Sequence, residues 1–554
     1  MSIIFRKGLR ISPEDAPSPS ATSPDDTASV AEQANVARRA GMVGGATLLS
    51  RLLGAVRDVV MASFFGTGMA AEAFIVAFRL PEFLRRLLGE GSLSIAFVPV
   101  YTDYVHRQGR AGADRMAGSA LRALALLLAL ATAVCILLVP WWVQVVAPGF
   151  AHTPEKFSLT VALARAMTPY LWCVGLMALC MGILNVLGHF AAPAFSPVCL
   201  NLAMIGALVI GVGFGNSDGD LAMWLAAGVV LGGVLQLGLQ VPFLLRYRFP
   251  LWRRAPIWHP ALARIVKLMG PVLFGAAVFQ INSLVVILLA SWLPQGSVAY
   301  LYYADRLVQF PLGVFGFAVA TAVLPTMARQ TAEGRIDAMG RTCGQAIGLV
   351  CFITLPATVG LIVLREPIVA LLFQRGAFDT QSMQLTAGAL LYYAMGLWAF
   401  AAVRIVLNAF YALEDTRTPV CVAAVSISVN ALLGWWLMGF MAHNGLALAL
   451  TLSSVVNFLL LTLFLRRRLG AMGWREIASS VAKSGICAAI MGVLVWGLAG
   501  QMLPGDGRVG LALLPGLLVC IGAGALIYAT AARIMGVEAL EVLRQIIPGR
   551  IAKR

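Results

Sequence analysis

Apolar runs long enough to cross a bilayer recur along almost the whole chain. They lie near 38–65, 70–104, 117–147, 158–188, 193–214, 221–246, 262–292, 297–328, 339–364, 383–412, 418–440, 445–466, 478–502 and 508–535. A helix that crosses a bilayer needs about 20 apolar residues, and a membrane β-barrel would show short alternating strands instead. The pattern therefore predicts an all-α polytopic membrane protein with 14 transmembrane helices. The polar connections alternate in character. Arg38 and Arg39 precede the first segment, and Arg107, Arg110 and Arg115 follow the second. Arg246, Arg248, Arg253 and Arg254 follow the sixth, Arg329, Arg335 and Arg341 the eighth, and Arg466, Arg467 and Arg468 the twelfth. The connections between are nearly bare, apart from Arg365 and Arg375 after the ninth. By the positive-inside rule both termini are expected on the cytoplasmic side.

Residues 1–35, rich in Pro, Ser, Asp and Ala, are expected to form a disordered cytoplasmic extension. Ile3-Ile4-Phe5 is too short for the core of a signal peptide, which leaves targeting to the first span.

Composition sharpens this picture. Of 554 residues 60% are hydrophobic and 12% charged, against about 25% charged in soluble domains, and the mean hydropathy is +0.85. The net charge of +16 would suit nucleic acid, but its placement in alternate connections makes most of it a topology signal, so no nucleic-acid partner is expected. The nine cysteines form no CxxC pair and fall mostly in apolar segments, as small core side chains do. The five histidines are scattered, and no metal site is expected.

The two halves of the chain echo each other. Ala77-Phe78-Arg79-Leu80-Pro81-Glu82-Phe83 and Ala304-Asp305-Arg306-Leu307-Val308-Gln309-Phe310 both read A-x-R-L-x-x-F. Ile183-Leu184-Asn185 with Pro197-Val198-Cys199 parallels Val406-Leu407-Asn408 with Pro419-Val420-Cys421. An even-numbered repeat unit keeps its orientation in the membrane. The expected architecture is two pseudo-symmetric six-helix lobes, 36–250 and 251–470, followed by a C-terminal pair of helices and a tail in 471–554.

Charges inside apolar spans are costly, by about 3 kcal/mol per residue on insertion scales, and mark functional sites. Segment 1 carries Arg51, Arg57 and Asp58; at helical spacing Arg51 and Asp58 share a face. In segment 2, Arg79, Glu82, Arg86 and Glu90 form one stripe with Arg85 beside it, and segment 8 supplies Asp305 and Arg306. Segments 2 and 8 carry breakers at equivalent places, Pro81 and Gly89 against Pro311, Gly313 and Gly316, and paired interruptions point to a transport site. Arginine forks suit phosphate, and neighbouring acids limit the cost of leaving them empty. The arrangement predicts a cationic cavity for an anionic, phosphorylated substrate. The competing reading, ion pairs that merely lock helices together, accounts for Arg57 and Asp58 but not for the surplus of arginines. Arg165 reads as a snorkelling residue, and Arg404 fits either reading.

Ser50-Arg51-Leu52-Leu53-Gly54-Ala55-Val56-Arg57-Asp58, Leu84-Arg85-Arg86 with Glu90, Ala96-Phe97-Val98-Pro99 and Tyr302-Tyr303-Ala304-Asp305-Arg306-Leu307 resemble the lipid II flippase family MurJ, also called MviN, of the multidrug/oligosaccharidyl-lipid/polysaccharide exporter superfamily. The resemblance covers the chain after its first ~35 residues and implies a non-enzymatic transporter. Its cargo would be lipid II, the undecaprenyl-pyrophosphate-linked peptidoglycan precursor, moved to the periplasmic leaflet of the bacterial inner membrane. It implies that Arg51, Arg57, Arg85 and Arg306, with Arg86 of the same stripe, engage pyrophosphate. Asp58, Glu72, Glu90 and Asp305 would be acidic partners, Arg79, Glu82 and Gln309 further cavity residues, and segments 13 and 14 a groove for the polyprenyl tail. Glu72 stands where relatives often carry Asp, and Gln309 where some carry Glu. Some relatives hold sodium with acids of segments 7 and 11; segments 7, 11 and 12 here have none, Asn430 being the nearest polar candidate. No cofactor is implied, and coupling to the membrane potential or to a monovalent cation stays open, as does partnership with cell-wall synthases. Rival readings are an exporter of another lipid-linked oligosaccharide, a cation-coupled drug antiporter, a membrane glycosyltransferase and a non-transporting scaffold. The antiporter predicts an acidic cavity, and the transferase a large external loop that the short connections do not provide.

Overall fold

The computed structural model describes residues 24–89, 92–215, 217–250, 256–470, 473–503 and 510–540. Among them the chain is helical, with no strand. In order come α1 (Pro24–Phe65), α2 (Met69–Gly89), α3 (Ser92–Val146), α4 (Pro154–Met167), α5 (Tyr170–Val186), α6 (Ala191–Gly211) and α7 (Asp218–Arg246). The second half holds α8 (Pro260–Ala290), α9 (Ser297–Pro311), α10 (Phe317–Ala332), α11 (Ile336–Val363), α12 (Arg365–Phe373), α13 (Thr380–Met395) and α14 (Leu397–Ala412). Finally come α15 (Arg417–Leu469), α16 (Trp474–Met502) and α17 (Leu514–Ile534). Helix α1 runs back to Pro24, inside the stretch that composition reads as an extension.

Nine helical stretches among the described residues are long and apolar enough to cross a membrane, or ten with the bent pair α13 and α14 counted as one. Their outer faces are apolar: Leu137, Trp435, Trp496 and Leu526 are each more than 60% exposed. In water such a surface would be untenable; against lipid tails it is the expected covering. Two of the longest helices turn sharply within themselves. α3 does so at Gly109 (φ 70°), where only glycine takes that backbone freely. α15 does so at Ala442 (φ 48°).

Neither proline stops its helix. α2 passes through Pro81 without stopping and ends at Gly89; in a membrane helix the one lost backbone bond is tolerated when neighbours pack around it. The other segment does not stop: α9 runs to Pro311, and a π-helical turn, Leu312–Gly316, carries the helix on into α10.

The halves of the chain meet at both ends of the molecule. At one end Ala377 N donates to Ser63 O at 2.9 Å, and Thr67 and Ser382 share a hydroxyl hydrogen bond of 2.8 Å. There too Tyr303 OH donates to Gly66 O at 3.3 Å, and Gly149 N to Ser291 Oγ at 3.1 Å. Gly66 has φ +55°, and a Cβ there would lie 2.8 Å from the Ala377 carbonyl carbon, so this contact demands glycine twice over. At the other end Arg264 of α8 bonds Asp103 of α3 at 2.9 Å, and the rings of Tyr104 and His259 pack edge to face. The charged groups considered next belong to α1, α2, α9 and α14.

Candidate functional site: an arginine-rich cluster between the halves of the chain

Asp58 is the hub. Its Oδ1 accepts from Arg57 Nε at 3.1 Å and Nη2 at 2.7 Å, and from Tyr302 OH of α9 at 3.1 Å. Arg306, one turn beyond Tyr302, places Nε 3.5 Å from Asp58 Oδ2. Its Nη2 donates to Tyr302 OH at 3.2 Å, and its guanidinium lies 4.7 Å from the Tyr302 ring centre. Arg57 also donates to Asn201 of α6 at 3.2 Å, and Asn201 donates to Ser50 O at 3.0 Å, which docks α6 on α1. Asp58 is 3% exposed and Arg57 8%. At that depth the charges stand only because each faces an opposite one. Two guanidiniums share one carboxylate, so this hub keeps a positive charge. The buried Nε of Arg306 donates no hydrogen bond.

The stripe on α2 forms as its spacing requires. Arg79 Nη1 donates to Glu82 Oε2 at 3.2 Å, and Arg86 Nη2 to Glu82 Oε1 at 2.8 Å. Arg86 reaches on to Gln280 of α8 at 3.5 Å. Glu82 also feels Arg306 and Arg85, so α2 and α9 share one electrostatic field. Asp305 lies in the fields of Arg306, Arg79 and Arg86 and accepts a hydrogen bond from Gln309. The amide at 309 thus steadies an acid rather than adding one. The Nε atoms of Arg79 and Arg86 are buried without a hydrogen-bond partner. Glu90 lies outside the described residues.

A third group surrounds Phe317, the first residue of α10. Arg404 of α14 stacks on its ring at 3.6 Å, and Arg51 of α1 stands 5.8 Å from the same centroid. Arg404 feels the charges of both Arg51 and Arg86. It joins the cluster. Its signal in the sequence is a lone charge in an apolar span; Phe317 carries no such signal.

Glu72 departs from expectation. It pairs with Lys156 of α4 and accepts from Val298 N of α9 at 2.8 Å. It stands ten residues before Glu82 on α2, about 15 Å away. Its physical role is to neutralise a buried lysine and cap a helix N-terminus across the two halves, not to partner the arginines. Arg165 bonds the Ile136 carbonyl at 3.3 Å. Asn430 donates to Asn282 of α8 at 2.7 Å, a neutral amide pair. Among the described residues no group of three or more metal-binding side chains gathers.

Counted together, Arg57, Arg79, Arg85, Arg86 and Arg306 face Asp58, Glu82 and Asp305, and Arg51 and Arg404 add two further cations beside them. Such a cluster attracts anions and repels cations.

Comparisons with known proteins agree with this chemistry. A family model described as "Lipid II flippase MurJ" matches residues 61–513. The "Probable lipid II flippase MurJ" of Rhizobium tropici is 38% identical over 455 residues, 82% of this chain and 85% of that protein. That of Vibrio cholerae is 37% identical over 477 residues, 82% and 88%. Among solved structures, a lipid II flippase MurJ in an inward closed conformation superposes with a TM-score of 0.74 at 23% identity, over 89% of this chain and 99% of that one. An inward-facing multidrug resistance MATE family transporter of the MOP superfamily gives 0.64 at 16% identity, over 76% and 95%. On the family match and the identities of these relatives, the chain belongs to the lipid II flippase MurJ family.

Proposed function

We propose that this protein moves lipid II from the cytoplasmic to the periplasmic leaflet of the bacterial inner membrane, with the arginine cluster holding its pyrophosphate. It is a multi-pass membrane transporter. The observation that carries the reading is the hub in which Arg57 and Asp58 of α1 meet Arg306 of α9: a buried, net-positive site built from both halves of the chain. The buried Nε groups of Arg79, Arg86 and Arg306, which make no hydrogen bond, are donors that a phosphate oxygen would satisfy. Arg51, Arg57, Arg85, Arg86 and Arg306 are the proposed phosphate ligands, with Asp58, Glu82 and Asp305 keeping their forks in place.

The proposed architecture has 14 crossings with both ends cytoplasmic. Gly109 and Ala442 each divide one long helix between two crossings; α2 with the first part of α3, α4 with α5, α9 with α10 and α13 with α14 each make one. Lobes at 36–250 and 251–470 rock about the cluster, so that it faces one side and then the other. α16 and α17 lie along the second lobe and offer apolar surface to the polyprenyl tail. A negative headgroup is driven outward by the inside-negative potential, worth about 2.3 kcal/mol per charge per 100 mV.

The experiment is translocation of lipid II in liposomes, with growth of a depletion strain beside it. Parent protein supports both. Arg306→Ala abolishes both while still reaching the membrane. Full translocation by Arg306→Ala would refute the site, and none by the parent would refute the function.

A further inference from the structure

The turn from Gly313 to Phe317 is a seat for two guanidiniums that arrive from opposite halves of the chain. Arg51 comes from α1 and Arg404 from α14. The ring of Phe317 receives Arg404 at 3.6 Å and Arg51 at 5.8 Å from its centroid. Gly313 stands one turn earlier, and a methyl group there would lie 2.6 Å from the guanidinium carbon of Arg51. The missing side chain is what admits Arg51.

These two arginines differ from Arg57 and Arg306, which Asp58 and Tyr302 hold by hydrogen bonds. Arg404 instead meets an aromatic face and the like charges of Arg51 and Arg86. Two neighbouring cations repel, and long side chains free to separate would do so. An aromatic ring reverses this, because its negative face attracts a guanidinium. A guanidinium can stack by its plane and still donate from its edge, since its N–H groups point outward within that plane. Arg51 and Arg404 are themselves only partly buried, so the edges of both groups can be reached.

We propose that Phe317, with Gly313 beneath it, is a positioning residue that holds Arg51 and Arg404 as a preformed pair for the phosphate end of the substrate. The inference rests on the transport reading above and deepens it. Side chains already captured by the ring lose less freedom when the anion arrives, which is how preorganisation raises affinity.

The test uses the full chain in nanodiscs with undecaprenyl pyrophosphate as the probe. Phe317→Ala and Phe317→Leu raise the Kd roughly tenfold, the size of one good cation–π contact. Phe317→Tyr and Phe317→Trp stay within about twofold of the parent, because the ring face remains. In an Arg404→Ala background Phe317→Ala adds less than about twofold, since contacting residues are not additive. Gly313→Ala, which meets only the far end of a flexible side chain, raises the Kd by displacing Arg51 and carries the test if Phe317→Ala does not fold. An unchanged Kd in Phe317→Ala and Gly313→Ala overturns the proposal. So does equal loss with tyrosine, or full additivity with Arg404→Ala. A parent that does not bind the probe overturns the transport reading and this inference with it; a parent that binds, with variants that bind equally, overturns this inference alone.

Discussion

Asp58→Asn removes one negative charge and almost no volume. Asp58 is 3% exposed, and a single oxygen of it takes three hydrogen bonds, two from Arg57 and one from Tyr302. An asparagine can keep one or two of them. What it cannot keep is the anion bonded to Arg57, itself 8% exposed. Removing one partner of a buried pair costs about 3–5 kcal/mol, because the other charge is left uncompensated. Against a total stability of about 5–15 kcal/mol, the purified variant should melt well below the parent. A phosphate group brings a replacement anion. Undecaprenyl pyrophosphate should therefore raise the melting temperature of Asp58→Asn by more than it raises that of the parent. The double variant Arg57→Met/Asp58→Leu, an apolar pair of similar size, should recover the part of the stability lost through Arg57, though not the part lost through Arg306, which also faces Asp58, and none of the transport. Ligand-dependent thermal melting of the three proteins in one detergent reads all of this. An Asp58→Asn protein that melts with the parent would falsify the argument, since the compensation of Arg57 would then lie elsewhere.

Glu72→Gln keeps an acceptor for Val298 N but strands Lys156, so the melting temperature should fall while the Kd for undecaprenyl pyrophosphate stays put; a changed Kd would return Glu72 to the binding site. Asn430 and Asn282 form a neutral pair, so liposome translocation should change by less than about twofold when potassium replaces sodium; a tenfold drop would contradict the assignment. Asp379 heads α13, where its bonds from Ser382 hold its carboxyl below the ordinary 3.8. A depressed folded pKa stabilises above the unfolded value and stops doing so as pH falls through the folded one. Parent should therefore outlast Asp379→Ala at about pH 6, with the gap closing below the ordinary carboxyl range; a gap that widened in acid would reverse the sign.

How much of this is legible in a single chain depends on sequence distance. Arg57 and Asp58 are neighbours, and Arg79, Glu82 and Arg86 follow helical spacing, so their pairing is written locally. Tyr302 and Arg306 are one turn apart, but that the tyrosine bridges to Asp58 depends on a contact 244 residues away. Lys156 and Glu72 are each ordinary in sequence, and only packing of α4 on α2 makes them a pair. Period alone likewise lets Pro81 look like a break, whereas neighbouring helices carry α2 through it. Phe317 shows the limit most plainly: nothing in its neighbourhood of apolar residues marks a phenylalanine that two arginines share.

The two closures at opposite ends of the molecule are made of different stuff. One is sewn with main-chain bonds and a glycine pressed against a carbonyl. The other includes a wet ion pair, Arg264 with Asp103, whose side chains are 57% and 24% exposed. Dissolved salt weakens the second and barely touches the first. Raising ionic strength is thus a one-sided lever: it weakens one tie at the end held by Arg264, where apolar packing remains, and leaves its counterpart untouched.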